Sequence, residues 1–184
     1  MNLTLVTPPA SEPVTVDEVK LHTRIDDDFE EALLQLWIVS ARIQAEDFQH
    51  RAYITQVREL SFDYFPRLPI CLPRSPVQEV TSFKYYDYQN TETVFSLDNL
   101  LIDTDSEPAR ITLSHGILYP SVTLRAMNAV KIRYTAGYGD SASDVPQTVK
   151  EAIMLYCTHR YDNRDAEKPP AEFFNMLRPD RVHL

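Results

Sequence analysis

Asp103, Asp105 and Glu107 stand at alternating positions, the arrangement in which a chain offers carboxylate oxygens to a hard cation such as calcium. The rest of such a loop is missing. Pro108 stands where a glycine should bend the chain, and Ser114 where a bidentate glutamate should close the shell. The segment reads as a polar loop between strands. Gly137-Tyr138-Gly139-Asp140-Ser141-Ala142 fits GxGxxA after a predicted strand, the pattern that brings a dinucleotide pyrophosphate to a helix N-terminus. The next helix, however, is expected only after Asp144, and about twenty residues further on the chain is inside that helix instead of ending a second strand. The glycines therefore read as a turn that needs positive φ.

Cys157 and His159 invite a thiolate–base pair, but two residues apart on a helix they point to opposite sides. They read as a buried cysteine beside a surface histidine. The histidines at 22, 50, 115, 159 and 183 show no HxH or HExxH spacing, and there is no GxSxG elbow. Cys71 and Cys157 are too few and too far apart for a disulfide framework or a zinc site, which fits a reducing cytoplasm. Asp26-Asp27-Asp28 could attract a cation, yet they precede a predicted helix, where carboxylates serve as cap and dipole partners. No catalytic, cofactor-binding or metal-binding residue is read, and no cofactor is expected. Phe173, Phe174, Met176 and Leu177 are different. A terminal apolar segment after the Pro169-Pro170 break must either fold back on its own domain or dock on another chain, and the residues alone leave both open.

The elements around these residues follow from periodicity and caps. Met1 to Pro13 reads as an extended lead-in that ends at a capping box, Thr15-Val16-Asp17-Glu18, with Val14 able to staple onto Val19; a short helix should run to about Arg24. Phe29, Leu33, Leu36, Trp37, Ser40 and Ile43 recur at three and four and predict a helix over about 29–49. From Tyr53 to Phe65, Ile54, Leu60, Phe62 and Tyr64 share one parity, as in a half-buried strand. Pro66, Pro69, Pro73 and Pro76 limit Leu68 to Leu72 to a short edge strand. Further strands are expected at 77–86, 93–97, 100–103, 109–113 and 129–134, with a turn at Asp87 to Thr91. A helix capped by Ser143 or Asp144, with Pro146 in its first turn, should bury Val149, Ile153, Tyr156 and Cys157 and reach about Tyr161, followed by a short helix over 171–178. The fold class is α+β: one domain over 1–184 with a helical core (15–50 and 144–178) and a β-rich insertion (51–136).

The chain has 184 residues with Lys plus Arg 18 and Asp plus Glu 27, a formal charge of −9. That balance tells against a surface built to collect phosphates, so a nucleic-acid binding module is disfavoured. With 3 Gly against 13 Pro, there is little material for glycine-rich phosphate cradles. Neither a signal peptide nor a membrane span is read, and no membrane partner is expected.

Blocks along the chain resemble a known family. Thr7-Pro8-Pro9 with Glu12-Pro13-Val14-Thr15-Val16-Asp17-Glu18-Val19-Lys20, then Arg24-Ile25-Asp26, is similar to the start of tailed-phage head-tail connector (adaptor) proteins of prophage and siphovirus type. Arg51-Ala52-Tyr53-Ile54-Thr55-Gln56, Leu72-Pro73-Arg74-Ser75-Pro76-Val77, Glu107-Pro108-Ala109-Arg110, Asn128-Ala129-Val130, Tyr134-Thr135-Ala136-Gly137-Tyr138-Gly139 and Tyr161-Asp162-Asn163-Arg164 follow in order. One departure is the turn at Asp87 to Thr91, which lacks the glycine the family leads one to expect.

The resemblance implies a structural virion protein and no enzyme, made in the bacterial host cytoplasm and placed at the head-tail junction. It would form a ring with copies of itself, twelve-fold in the virion, beneath the portal protein. The ring would extend the channel through which DNA passes without specific binding, and would meet a stopper or tail-completion protein on its far side. The acidic excess would then suit a channel that must not hold DNA. For portal attachment the expected segment is Ala171 to Leu184, with Phe173, Phe174, Met176 and Leu177 as apolar anchors and Arg178 and Arg181 as polar contacts. The alternatives are a stopper or tail-completion role in the same particle, or a small hydrolase hidden in the β-rich part.

Overall fold

The computed structural model describes residues 1–26, 29–165 and 168–183. The chain divides into two compact units, one from Met1–Pro8 and Thr55–Gly137, the other from Pro9–Ile54 and Tyr138–His183. Helices and antiparallel strands segregate between them, so the α+β class holds.

The sheet unit contains a five-stranded antiparallel sheet and a three-stranded one. Its strands are β1 (Asn2–Thr7), β2 (Gln56–Phe62), β3 (Ile70–Leu72), β4 (Val77–Tyr86), β5 (Glu92–Phe95), β6 (Leu100–Asp103), β7 (Ala109–Leu113) and β8 (Val130–Ala136). The large sheet runs β1-β2-β8-β4-β5 and the small one β3-β7-β6. The proline-bounded β3 is an edge strand, as its flanking residues required, because proline cannot donate to a ladder. Central β8 sets Ile132 opposite both Leu60 of β2 and Phe83 of β4, and all three are fully buried. Phe83 continues the apolar layer into an aromatic cluster with Phe95 and Tyr119, where Phe65 stacks on Tyr119 at 4.6 Å.

Two local findings correct or extend the sequence reading. The lead-in is extended, but Asn2–Thr7 is an edge strand with Leu3 opposite Leu60. Asn2-Leu3-Thr4-Leu5 alternates polar and apolar residues, but a run this short does not fix a strand by itself; the partner strand supplies the ladder. In the β4–β5 turn the missing glycine is replaced by Asn90 at φ 67, a left-handed conformation asparagine tolerates. The Asp87 carboxylate holds the turn by accepting the Gln89 and Thr91 amides, each at 2.9 Å.

The helical unit consists of α1 (Val16–Thr23), α2 (Glu31–Gln49), α3 (Gln147–Asp162) and α4 (Ala171–Leu177). The Thr15–Glu18 capping box is present, with the Glu18 carboxylate 2.7 Å from the Thr15 amide and the Thr15 hydroxyl 3.2 Å from the Glu18 amide. Val14 and Val19 join one core with Leu34, Trp37, Ile38, Ala41, Ala45, Val149, Ile153, Tyr156, Cys157, Phe173 and Leu177. The α3 face is the one its spacing predicted. Its start differs: Ser141, not Ser143, forms the box with Asp144, capping a 3-10 turn over Ala142–Asp144, and α3 begins beyond Pro146.

α2 is rotated relative to the stripe expected from spacing. Of that stripe, only Trp37 is fully in the core, whereas Phe29 is 96% exposed, Leu36 62% and Ile43 46%, and the helix starts at Glu31. The helix is apolar on nearly every side, so periodicity alone could not choose the buried one. Arg42 and Glu46 decided it by turning inward: Arg42 Nε donates to Glu12 at 2.7 Å and Nη1 to Glu46 at 3.2 Å.

Candidate functional site

The terminal segment starts at the double proline, where Pro170, in an extended conformation, cannot continue a helix backwards and so fixes the start of α4. Phe173 and Leu177, four apart, fall on one face, and both are fully buried in the helical core. Phe173 lies between Tyr156, at 5.5 Å, and Phe174, at 5.1 Å, and Phe174 also meets Phe48 of α2 at 4.9 Å. Phe174 and Met176 are half-buried at the flank of this core. Of the two outcomes the sequence left open, the segment folds back.

Polar bonds fasten the end of the chain to the end of α2. Gln49 donates through Nε2 to the Leu177 carbonyl at 2.6 Å, and the Val182 amide donates to the Gln49 carbonyl at 2.9 Å. Arg51 donates through Nε to the Asp180 carbonyl at 2.6 Å. Tyr53 locks the other side of Gln49, its hydroxyl donating to Oε1 at 2.6 Å while its amide donates to Glu46. Burial, reinforced by the nearby Glu46 carboxylate, pushes that hydroxyl well above the tyrosine range, so it stays a donor at any working pH. Six sequence-predicted anchors are thus split by the fold. Phe173 and Leu177 are spent on the core, Phe174 and Met176 show part of their surface, and Arg178 and Arg181 are exposed. Arg181 lies over the Phe48 ring at 5.0 Å.

The other constellations take structural roles. Asp103 accepts from the Ser106 hydroxyl at 2.7 Å and from Arg110 at 2.6 Å, which lowers its pKa to about 2. Among the described residues no group of three His, Cys, Asp or Glu side chains could hold a metal ion. Gly137 takes φ 140 in the turn expected of it, and its amide donates to the Pro76 carbonyl at 2.9 Å. A Cβ on Gly139 would collide with the Asp144 carboxylate, which is occupied in capping Ser141. Cys157 is buried, and desolvation pushes its thiol up to about 12, the reverse of what a nucleophile needs. Of the Asp26–Asp28 cluster, Asp27 and Asp28 lie outside the described residues, while Asp26 is exposed.

The set formed by buried Arg42 and Glu46 with half-buried Glu12 was missed by motif reading. The signal was an i, i+4 pair of opposite charges within an apolar helix, the pattern of an ion pair turned inward.

Comparison with known proteins adds identity to this geometry. Residues 13–94 match the family model described as Phage gp6-like head-tail connector protein. No match to a curated protein was found. Among solved structures, a chain in the neck of an empty gene transfer agent particle, computed with C6 symmetry, is similar with a TM-score of 0.83 at 24% identity, covering 100% of this chain and 97% of that one. A chain in the neck of a native particle, computed with C12 symmetry, gives a TM-score of 0.82 at 23% identity and the same coverage. One in the virion of the native gene transfer agent particle gives 0.80 at 24%, again over 100% and 97%. Residues 13–94 are thus similar in sequence to the phage gp6-like head-tail connector proteins, and the whole chain shares its fold with chains from these neck particles.

Proposed function

We propose that the chain is a structural ring component of the head-tail junction, sitting beneath the portal and extending the DNA channel toward the tail. The observation that carries this reading is the agreement of the connector match over 13–94 with a full-length fold shared with neck proteins. The ring is twelve-fold in the particle, in keeping with the C12 symmetry under which one similar neck was computed. Closed rings need a heterologous contact, with one face meeting a different face of the neighbour. Each contact can be weak, because a docked copy meets the next at high effective concentration. The work is mechanical, and the chain makes and breaks no covalent bond.

Charge is distributed unevenly between the two units. The helical unit has 18 Asp and Glu against 10 Lys and Arg, a net of −8, whereas the sheet unit has 9 against 8, a net of −1. In this reading the helical unit supplies the acidic lining, and DNA slides past it because its cations are outnumbered and displace few counterions. No helix among the described residues is long and apolar enough to cross a membrane.

Portal attachment rests on the exposed end of the terminal segment, Arg178 and Arg181, with Phe174 and Met176 beside them. Phe173 and Leu177 act indirectly by holding α4 in place. Negative-stain microscopy of the purified protein, alone and with portal, tests the reading: annular particles on the portal are expected. Pull-down with Arg178→Glu/Arg181→Glu should lose portal capture while the fold is kept. Capture by a stopper in place of portal would assign the chain to the alternative position, and turnover of a small molecule without capsid association would remove the proposal.

A further inference from the structure

Ala32, Leu36, Val39 and Ile43 follow one another at four, three and four residues, a spacing that lays them along one stripe of α2. Ala32, Leu36 and Ile43 are exposed and Val39 is half-buried, so the stripe faces out. The charges between Glu31 and Asp47, Arg42 and Glu46, are turned into the core with Glu12. The outward side of α2 is therefore uncharged from Ala32 to Gln44. A solvated helix face ordinarily carries charged and polar residues. The omission stands out in a unit whose net charge is −8.

That charge also says what can lie there. A basic partner would be drawn to the acidic surface and would gain nothing from a neutral strip. A body of the same negative sign meets less repulsion at an uncharged strip than at the acidic surface around it. Another copy of this chain is such a body.

A receiving surface exists elsewhere on the same unit. α3 packs inward through Val149, Ala152, Ile153 and Tyr156, leaves Gln147 and Glu151 exposed, and keeps Met154 and Leu155 half-buried at the rim of the core. With His22 of α1 and Met176 of α4 these line a groove of about 420 Å³ to which α2 contributes no residue. Methionine is suited to such a groove because its unbranched side chain repacks around an aliphatic ridge. Ridge and groove are unlike and share no residue, as head-to-tail closure requires of its two faces.

We propose that the Ala32–Leu36–Val39–Ile43 ridge of one copy seats in the Met154–Leu155–Met176 groove of the next, forming the helical contact between successive subunits; this rests on the ring reading above. Met176 then faces the neighbouring copy, leaving the two arginines for the portal. A stripe of this length spans ~17 Å at 1.5 Å per residue. It falls short of the ~800 Å² per partner of a stable binary complex, so the contact holds within a closed ring and is weak between two free copies.

The test uses the full chain in a Cys71→Ser background, with Ile43→Cys and Met154→Cys prepared separately, mixed under ring-forming conditions with portal, and treated with a short bismaleimide. The expected result is a crosslinked dimer in the mixture and none from either variant alone. In parallel, Leu36→Glu/Ile43→Glu, at exposed positions, should keep the circular-dichroism spectrum of the parent and lose annular particles. Rings that form without the Ile43–Met154 crosslink, or that persist in the doubly charged variant, overturn this contact and leave the ring reading standing. Wild-type chains that never associate with one another, alone or on portal, overturn both.

Discussion

Replacing Phe173 with alanine should remove a large part of the helical unit's stability. The side chain is fully buried and lies between the rings of Tyr156, at 5.5 Å, and Phe174, at 5.1 Å. A buried Phe→Ala change costs about 3–5 kcal/mol, a figure that already contains the lost ring contacts. Against a domain stability of about 5–15 kcal/mol this is at least about a fifth of the total. At roughly 2–4 °C per kcal/mol for a chain of this size, a 4 kcal/mol loss lowers Tm by about 8–16 °C. Trp37 is the single tryptophan and sits in the same core, so its fluorescence in a urea titration reports on this unit even if the two units unfold separately. Leu177→Ala should cost about 2–5 kcal/mol, while Arg178→Ala, at an exposed position, should stay within about 0.5 kcal/mol. A Phe173→Ala loss below about 1 kcal/mol would mean that α4 is not docked in the core, and the division of the segment into buried and exposed residues would fall. For the same reason point variants are the cleaner probe of portal binding, since truncation after Lys168 removes three buried side chains, Phe173, Leu177 and Val182.

Three other outcomes are expected. Arg42→Met should cost about 3–5 kcal/mol in the same urea assay, because it removes the guanidinium that donates to both Glu12 and Glu46; a variant as stable as the parent would contradict the inward-facing pair. In native protein a thiol reagent should modify exposed Cys71 and leave Cys157 untouched until urea is added; rapid reaction of both would show the helical core to be open. Asp103 should titrate near 2 by carboxyl NMR, since the Ser106 hydroxyl, Arg110 and the Ser106 amide hold its charge. A depressed folded pKa stabilises the fold above the ordinary value of 3.8 and loses that contribution as the pH falls toward 2, so Asp103→Asn and the parent should differ in Tm at neutral pH and converge in acid. A midpoint at the ordinary value would sink the hydrogen-bonded loop.

Recognition of a connector came from blocks of residues in order, and the family match over 13–94 together with the neck-like fold agrees with it. The candidate interface was legible only as a segment. Phe173, Phe174, Met176 and Leu177 announce that something apolar must be covered, but hydrophobicity is non-directional, and four adjacent apolar residues do not say which of them the chain itself will cover. The i, i+4 relation of Phe173 and Leu177 held the answer once Tyr156 and Phe48 were in place.

Local chemistry is enough for the elements whose causes lie within a few residues. The Thr15–Glu18 box, the strands at 77–86, 100–103 and 109–113, the proline-limited edge strand and the inner face of α3 can each be read from their own residues, because caps, prolines and periodicity act over one or two turns of chain. Tertiary structure decided what depends on distant partners. Asn2–Thr7 became a strand because β2 offered it a ladder, and α2 turned Leu36 and Ile43 to the outside because Glu12, thirty residues from Arg42, drew that arginine inward. A helix apolar on several sides has no preferred face until a buried charge must find its counter-ion, and only the folded chain shows where that counter-ion waits.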